Sequence, residues 1–459
     1  MKFIVLSGSP KGAKSVTLQY IRYIENAFPQ HELKVIHVTR RIRRLERDRS
    51  AFDAVMREIG QADGIFWATP VYYLLVPAGY KRFIELIVEN GAQATLLDKP
   101  AAILTTSVHF YDHTAHNYLH AICDDLEMRC LGHFSADMYD LLKAAERKRL
   151  ETFATLFFSE VAGNGPPPKR FVPLSRLEFR YRPGKRVESV YSGQHKVLMV
   201  IDAINPDSNL DRMHQYLKRC FNGSLDLIDL GALDIKGGCL GCLQCAYDNT
   251  CTYAGKDAFN AVYRDRIMRA DILIWAGEMT DRYLSSKWKQ FFDRSFFMGH
   301  TPSLSGKQVG MIISGPLGQN ANLRQIIEAY MEMQGASLVG IVTDETGNSA
   351  VIDAQLTALA RRLIRHADQQ FVAPATFLGR AGTILFRDEI WGRLRFPFRA
   401  DYGHYRRLGL FDFPQHHWPS RLRNALLLFL SRFPGLRHKI NQRMKDEMIK
   451  PLQKYLRTQ

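Results

Sequence analysis

Two trains of short apolar runs, separated by helix-period patterns, constrain the fold of this chain more than any other feature of its sequence. The first train has runs at 3–6, 33–38, 65–68, 101–105 and 130–134. The second repeats the rhythm at 197–201, 225–230, 272–276, 309–314 and 338–342. Short runs that are apolar at nearly every position suit strands buried on both faces, with the intervening helices as cover. Such alternation gives a parallel sheet between two helical layers. The expected fold class is α/β: two tandem, doubly wound, five-stranded parallel sheets from an internal duplication, then a basic and mainly helical extension. The expected domains are 1–162, a Pro-rich linker or strap at 163–195, 196–372, and the extension at 373–459. A Pro triplet in the linker, Pro166-Pro167-Pro168, makes a semi-rigid spacer.

The formal net charge is +16, and it is unevenly placed: residues 376–459 hold 17 Lys and Arg against 6 Asp and Glu. The basic character therefore bears on partners more than on chemistry. Residues 421–433 and 436–456 read as two basic amphipathic helices parted by Pro434-Gly435. Three readings of them compete: packing onto the two domains, docking of an acidic redox partner or subunit, and peripheral contact with an anionic membrane. Charge without a recognised module does not point to nucleic acid. No apolar run approaches the roughly 20 residues of a membrane span. Met1-Lys2 leads directly into a strand pattern, which does not read as a signal peptide. A cytoplasmic location, with membrane association as a further reading, is expected.

Four of the seven cysteines, Cys239, Cys242, Cys245 and Cys251, lie in one Gly-bearing stretch with the spacing C-x2-C-x2-C-x5-C. Compact runs of this kind are the local signature of a [4Fe-4S] cluster. A four-cysteine zinc site more often divides its ligands into two separated C-x2-C pairs. Unrelated structural thiols are the third reading. Elsewhere, His109, Asp112, His113, His116 and His120 follow the fourth run in a segment expected to be helical, with 113, 116 and 120 on one face. A metal site, proton delivery by His109 or His113, and a plain polar face are the alternatives there. Thr39 to Arg49 carries six arginines and reads as a solvated helical surface.

After the first run comes Ser7-Gly8-Ser9-Pro10-Lys11-Gly12-Ala13-Lys14-Ser15-Val16-Thr17, a small hydroxylated loop opening a helix. Strand, loop and helix in this order present N–H groups and hydroxyls to a phosphate, although an unliganded β–α turn reads similarly. It is neither a Walker loop nor a G-x-G-x-x-G fingerprint. Together with Ala62-Asp63-Gly64-Ile65, Pro70-Val71-Tyr72 and Lys81-Arg82-Phe83-Ile84-Glu85, the loop resembles the flavodoxin-like NAD(P)H-dependent FMN reductase family over residues 1–162. The resemblance implies FMN, its phosphate held by Ser9, Lys11, Ser15, Val16 and Thr17. It places the isoalloxazine against Pro70, Val71, Tyr72, Tyr73 and Leu74, covered by Thr106 and Ser107, with NAD(P)H as a substrate.

Residues 196–345 are similar to the iron–sulfur flavoproteins of that family, whose cysteine loop also follows the second strand. The second copy's own nucleotide loop, Asn205-Pro206-Asp207-Ser208-Asn209-Leu210, has lost Gly-Ser-Pro, and Asp207 and Asp211 add charge repulsive to a phosphate. One copy keeps the flavin loops and the other keeps the cysteines. In the proteins resembled, the cluster of one subunit faces the FMN of its neighbour, so the chain is expected to fuse such a pair. Electrons would pass between FMN and [4Fe-4S], with a small molecule or a redox protein as partner and an oligomer allowed. The alternative is a zinc-bearing, non-catalytic scaffold with a degenerate flavin pocket.

Overall fold

A computed structural model describes residues 1–163, 165, 167–202 and 204–456. Asn164 and Pro166 of the expected spacer lie outside the described residues. The first sheet comprises β1 (Lys2–Ser7), β2 (Glu32–Ile36), β3 (Gly64–Pro70), β4 (Pro100–Ser107) and β5 (Arg129–Asp137), in the order β2-β1-β3-β4-β5. The second comprises β6 (Val197–Ile201), β7 (Leu225–Asp229), β8 (Ile272–Glu278), β9 (Gln308–Ser314) and β10 (Ser337–Thr343), in the order β10-β9-β8-β6-β7. All eight pairings are parallel, and the second order is the first renumbered. This is the flavodoxin-like arrangement, in which ligands sit beyond the strand ends where the order reverses. The expected duplication is therefore present.

Around the first sheet lie α1 (Val16–Ala27), α2 (Val38–Arg47), α3 (Arg49–Gly60), α4 (Ala78–Glu89), α5 (Asp112–Asp125) and α6 (Ala144–Ala162). Around the second lie α7 (Asn209–Cys220), the short α8 (Cys245–Asp248) and α9 (Phe259–Val262), then α10 (Ser286–Ser295), α11 (Ala321–Met333) and α12 (Ser349–Asp368). The arginine-rich run is two helices, not one surface: Asp48 leaves the helical region and its side chain caps α3 by accepting from Ala51 N. His109 falls before α5, not on it, with a left-handed φ of 58°.

The two copies are not beads on a string. A single buried cluster runs through both, joining Trp67, Tyr80 and Phe83 of the first with Trp275, Trp288 and Phe292 of the second. At its centre α4 meets α10 in a reciprocal exchange. Lys81 pairs at 2.8 Å with Glu85 one turn on, and Lys289 is paired with Asp293, also one turn on. Glu85 accepts from Ser286 N, at the start of α10, at 2.7 Å; Asp293 accepts from Ala78 N, at the start of α4, at 2.7 Å. Each carboxylate thus caps the other copy's helix, where the helix dipole favours negative charge. Each lysine reaches the other copy's loop as well: Lys81 pairs with Asp281 at 2.9 Å, and Lys289 donates to Tyr72 O at 2.9 Å. All four of these paired side chains are buried.

Residues 170–194 form an extended strap with no strand or hairpin. Arg170 N and Phe171 N donate to Asp124, Arg282 donates to Val172 O, and Ser175 exchanges two hydrogen bonds with Gln319. Arg176 donates to Met279 O. Tyr181 N donates to Asn209 at the start of α7, and the Tyr181 ring is buried in the second copy's outer core. The strap's path therefore crosses loops at the carboxyl ends of the second sheet.

By compactness, residues 1–402 make one unit and 403–459 another. The first part of the expected extension belongs to the main unit: α13 (Phe377–Trp391) packs on α11, where Glu332 accepts from Thr376 N and Gly379 N. It is followed by α14 (Arg399–Arg407). In the second unit α15 (Trp418–Leu430) and α16 (Pro434–Leu456) are the two expected helices, with Pro434 and Gly435 opening α16 and not separating it from α15. No helix is long and apolar enough to cross a membrane among the described residues.

Two outcomes follow for the seam. Lys81→Met should destabilise the protein by about 3–5 kcal/mol in denaturant melts, because Glu85 and Asp281 are left buried without their cation. Burial alone would raise the Glu85 carboxyl, but Lys81 and Ser286 bring it down to about 2. A carboxyl lowered by folding contributes stability above its ordinary value, and that stability is lost as pH falls from about 4.5 towards 2. The acid limb of the stability profile should be measurably shallower in Glu85→Gln.

Candidate functional site

The loop after β1 folds as a cradle. Ser9, Ser15 and Thr17 are each 1% exposed, so their hydroxyls are held inside the fold, not in bulk water. Ser15 stands at the N-cap of α1 yet makes no side-chain capping bond, which leaves its hydroxyl for another acceptor. The Ser7 hydroxyl is buried with no hydrogen-bond partner. The open N–H groups of α1 add positive potential at the same place. Gly8 is required by space: a Cβ there would run into the Thr69 side chain. Thr17 and Thr106 hydroxyls meet at 2.7 Å, tying the cradle to the end of β4. Buried hydroxyls, an uncommitted helix start and Lys11 beside them are what a phosphomonoester needs, so these residues fit FMN. Sequence reasoning missed Arg40, whose guanidinium lies over Gly12 and adds a cation to the rim.

Pro70 ends β3, and Val71 N continues its ladder by donating to Thr106 O at 3.1 Å. Tyr72 and Leu75 then exchange backbone bonds of 2.7 and 3.1 Å across a two-residue turn. Tyr73 and Leu74 at its tip have φ of 40° and 61°. Positive φ at both centres is a mirror-image turn normally given to Gly or Asn, and bulky residues there hold strain. The Lys289 bond to Tyr72 O anchors this turn from the other copy. Tyr73 packs its ring on Phe296 and Tyr330, also of the other copy.

Cys239, Cys242, Cys245 and Cys251 all line one pocket, together with Asp293, Arg294, Phe296 and Phe297. The thiols share a cavity and not a single point: among the described residues no group of three or more His, Cys, Asp or Glu is set to hold one metal ion. Their donor chemistry still fits a thiolate-ligated centre, and Gly241 N donates to the Cys239 sulfur at 3.4 Å. Burial pushes the Cys239 and Cys245 thiols up to about 12, so metal binding there must displace protons. The loop is pinned at both ends by Arg294, the residue that sequence reasoning did not mark. Its guanidinium donates to Gly237 O before the cysteines and, through both terminal nitrogens, to Asp257 after them. Arg294 also lies 4.2 Å over the Tyr253 ring.

The two loops meet. Gly241, with φ of 63°, approaches so closely that a Cβ would overlap the Tyr72 hydroxyl and the Lys11 stem. Tyr72 is pushed well above the ordinary phenol range by burial and then by Cys239, Asp293 and Cys242, so it stays a neutral donor. The expected cluster loop thus abuts two of the expected flavin residues from opposite copies.

The corresponding places in the second copy are engaged by the chain itself. Ser208 uses its hydroxyl to cap α7 by accepting from Asp211 N, and Asn209 holds the strap. Of the two acids expected to repel a phosphate, Asp207 is solvated and Asp211 turns to His214. The acid at the cleft is instead Asp202, buried, accepting from Ser285, and pushed up by burial to about 6.

The histidines do not form one face. His116 and His120 are buried, His116 bonding Thr105 at 2.6 Å and held down to about 4 by burial, whereas His113 is exposed beside Tyr111. His109 N donates to Ser107 Oγ at 2.9 Å and its ring meets Asp112 at 3.0 Å, which sets it against the loop expected to cover the flavin.

No curated protein matches the chain. Solved structures similar to it include an NADH:FMN oxidoreductase in its apo form, 18% identical, covering 36% of this chain and 91% of that one, with a TM-score of 0.29. A flavoenzyme NAD(P)H:(acceptor) oxidoreductase from Paracoccus denitrificans is also 18% identical, covering 35% and 97%, with a TM-score of 0.28. An FMN-dependent NADH-azoreductase from Bacillus anthracis in complex with FMN is 12% identical, covering 34% and 98%, with a TM-score of 0.27. The family model for NADPH-dependent FMN reductase matches residues 1–139 and again 195–345, well over half of the sequence. The chain belongs to the NADPH-dependent FMN reductase family, a family of flavin oxidoreductases, and carries that family's unit twice.

Proposed function

We propose that this flavin oxidoreductase binds FMN in its first copy and a [4Fe-4S] cluster in its second, and passes electrons between them. The observation that carries the reading is the abutment just described: four thiols line one cavity, and the loop bearing them rests on Lys11 and Tyr72 of the flavin copy. FMN held there would supply hydride acceptance from NAD(P)H and one-electron release, and a cluster held by the thiolates would supply one-electron acceptance.

The chain's own part is to hold and to shield. Ser9, Ser15, Val16 N and Thr17 receive the phosphate, Lys11 neutralises it, and Arg40 adds charge at the rim. Pro70 to Leu74 form a rigid wall whose shape is fixed by Lys289. Thr106 and Ser107 lie beside it, and His109, which Asp112 orients, would hand a proton to a reduced acceptor. His113, exposed on α5 without a tie to that loop, supports this role less than His109 does. Cys239, Cys242, Cys245 and Cys251 supply the thiolates, and Arg294 holds the loop that carries them. The acceptor is a small molecule or a redox protein.

Anaerobic purification with iron, sulfide and flavin analysis tests the reading. Brown protein with FMN and about four irons supports it; colourless protein with stoichiometric zinc supports the scaffold alternative. Cys242→Ser should lose iron and keep FMN. Ser9→Asp should lose FMN and keep iron, because it sets a carboxylate against the phosphate. Arg294→Met leaves Asp257 buried and unpaired, and should both lower the melting temperature and cut iron content. Retention of full iron by Cys242→Ser, or of full flavin by Ser9→Asp, would sink the corresponding assignment.

A further inference from the structure

The second unit is unusual in what it leaves in water. No residue of α15 is buried. Leu422 is 74% exposed, Trp418 68%, Leu426 58% and Phe429 55%. At about 100° per residue these four fall within about 80° of arc and make the main apolar stripe, with Leu427 and Leu428, also exposed, outside it. Arg421 lies beyond one edge of the stripe and Arg423 beyond the other. On α16 a second row, Leu436, Met444, Met448 and Leu452, recurs at four-residue multiples and is likewise exposed. Residues 414–453 carry eight Lys and Arg against two acids, Asp446 and Glu447, and α15 carries no acid at all. A 13-residue helix with no buried face is marginal in water, so these helices are built to meet something.

We propose that α15 and α16 lie in the surface of a membrane rich in anionic lipid, with the apolar stripe among the acyl chains and the arginines at the headgroups. Charge selects this occupant. A second copy of the chain would set the same positive edges against each other, which opposes association. A planar anionic surface instead meets basic residues on both sides of the stripe at once. Arginine stems can cover apolar surface while their guanidinium groups stay at headgroup level. Trp418, at the entry of α15 with Arg421 stacked 4.4 Å over its ring, is the amphipathic kind of residue enriched at that depth. Among the described residues no helix is both long and apolar enough to span, α15 having 13 residues and α16 being rich in charge, so the proposed contact is with the bilayer surface. The inference does not depend on the cluster reading, since it concerns a separate unit.

Sedimentation of the full-length protein with vesicles tests it, using phosphatidylcholine alone and phosphatidylcholine with 30% phosphatidylglycerol. Binding to the anionic vesicles should be at least tenfold tighter than to the neutral ones and should weaken in 0.5 M salt. Arg421→Glu with Arg423→Glu and with Arg432→Glu, in the turn between α15 and α16, should reduce it on the order of 100-fold. Leu422→Asp with Phe429→Asp should abolish it. Flavin content and melting temperature of the main unit should be unchanged in both variants, which separates lost docking from lost folding. Equal binding to both vesicle types, binding that survives Leu422→Asp with Phe429→Asp, or no sedimentation at all overturns the proposal. So does a dimer in light scattering that this apolar variant dissolves and anionic vesicles leave intact.

Discussion

The exchange of buried lysines and carboxylates between α4 and α10 is the constraint on which the remaining architecture rests. Glu85 and Asp293 each sit at the start of the opposite copy's helix, and each is balanced by a lysine one turn away in its own helix. Buried charges of this kind are costly unless every partner is present, so the two copies are bound by an all-or-none arrangement and not by apolar contact alone. The same lysines reach the loops at the carboxyl ends of the central strands β3 and β8. Lys289 fixes the carbonyl of Tyr72, and the strained turn at Tyr73 and Leu74 is thereby set by a residue some two hundred positions away. The turn after β3 in one copy is thus held in shape by the other copy.

A two-fold seam generates two equivalent clefts, and this chain uses them differently. At one, the cysteine loop closes against Lys11 and Tyr72. At the other, the strap crosses the strand ends, Arg176 binds the loop at Met279, and Ser208, Asn209 and Asp202 are committed to internal bonds. The linker is therefore structural cover for the second copy as well as a spacer. The cysteine loop of one copy and the loops after β1 and β3 of the other meet at one cleft, and the seam that joins the copies holds that meeting in place. The second unit obeys another rule: the apolar residues of α15 are exposed, and basic residues lie beside them.

The sequence by itself determined all ten strands, because apolar runs bounded by helical patterns leave a parallel sheet no other cover. It also determined the duplication and the likeness of 1–162 and 196–345 to flavin reductases. The cysteine spacing marked the loop that carries the thiols, but local spacing alone does not bring them to one point: they line a common pocket, and Arg294 from α10 holds the loop at both ends. Other features needed the tertiary structure. Arg294 reads as one more arginine until folding brings Gly237 and Asp257 to it, and Asp202 reads as a strand end until Ser285 closes on it. His113, His116 and His120 share a helical face by spacing, yet the sheet and α5 bury two and leave the third outside. Local periodicity decided what each segment is; only long-range packing decided which buried polar groups find each other, because those partners lie far apart along the chain.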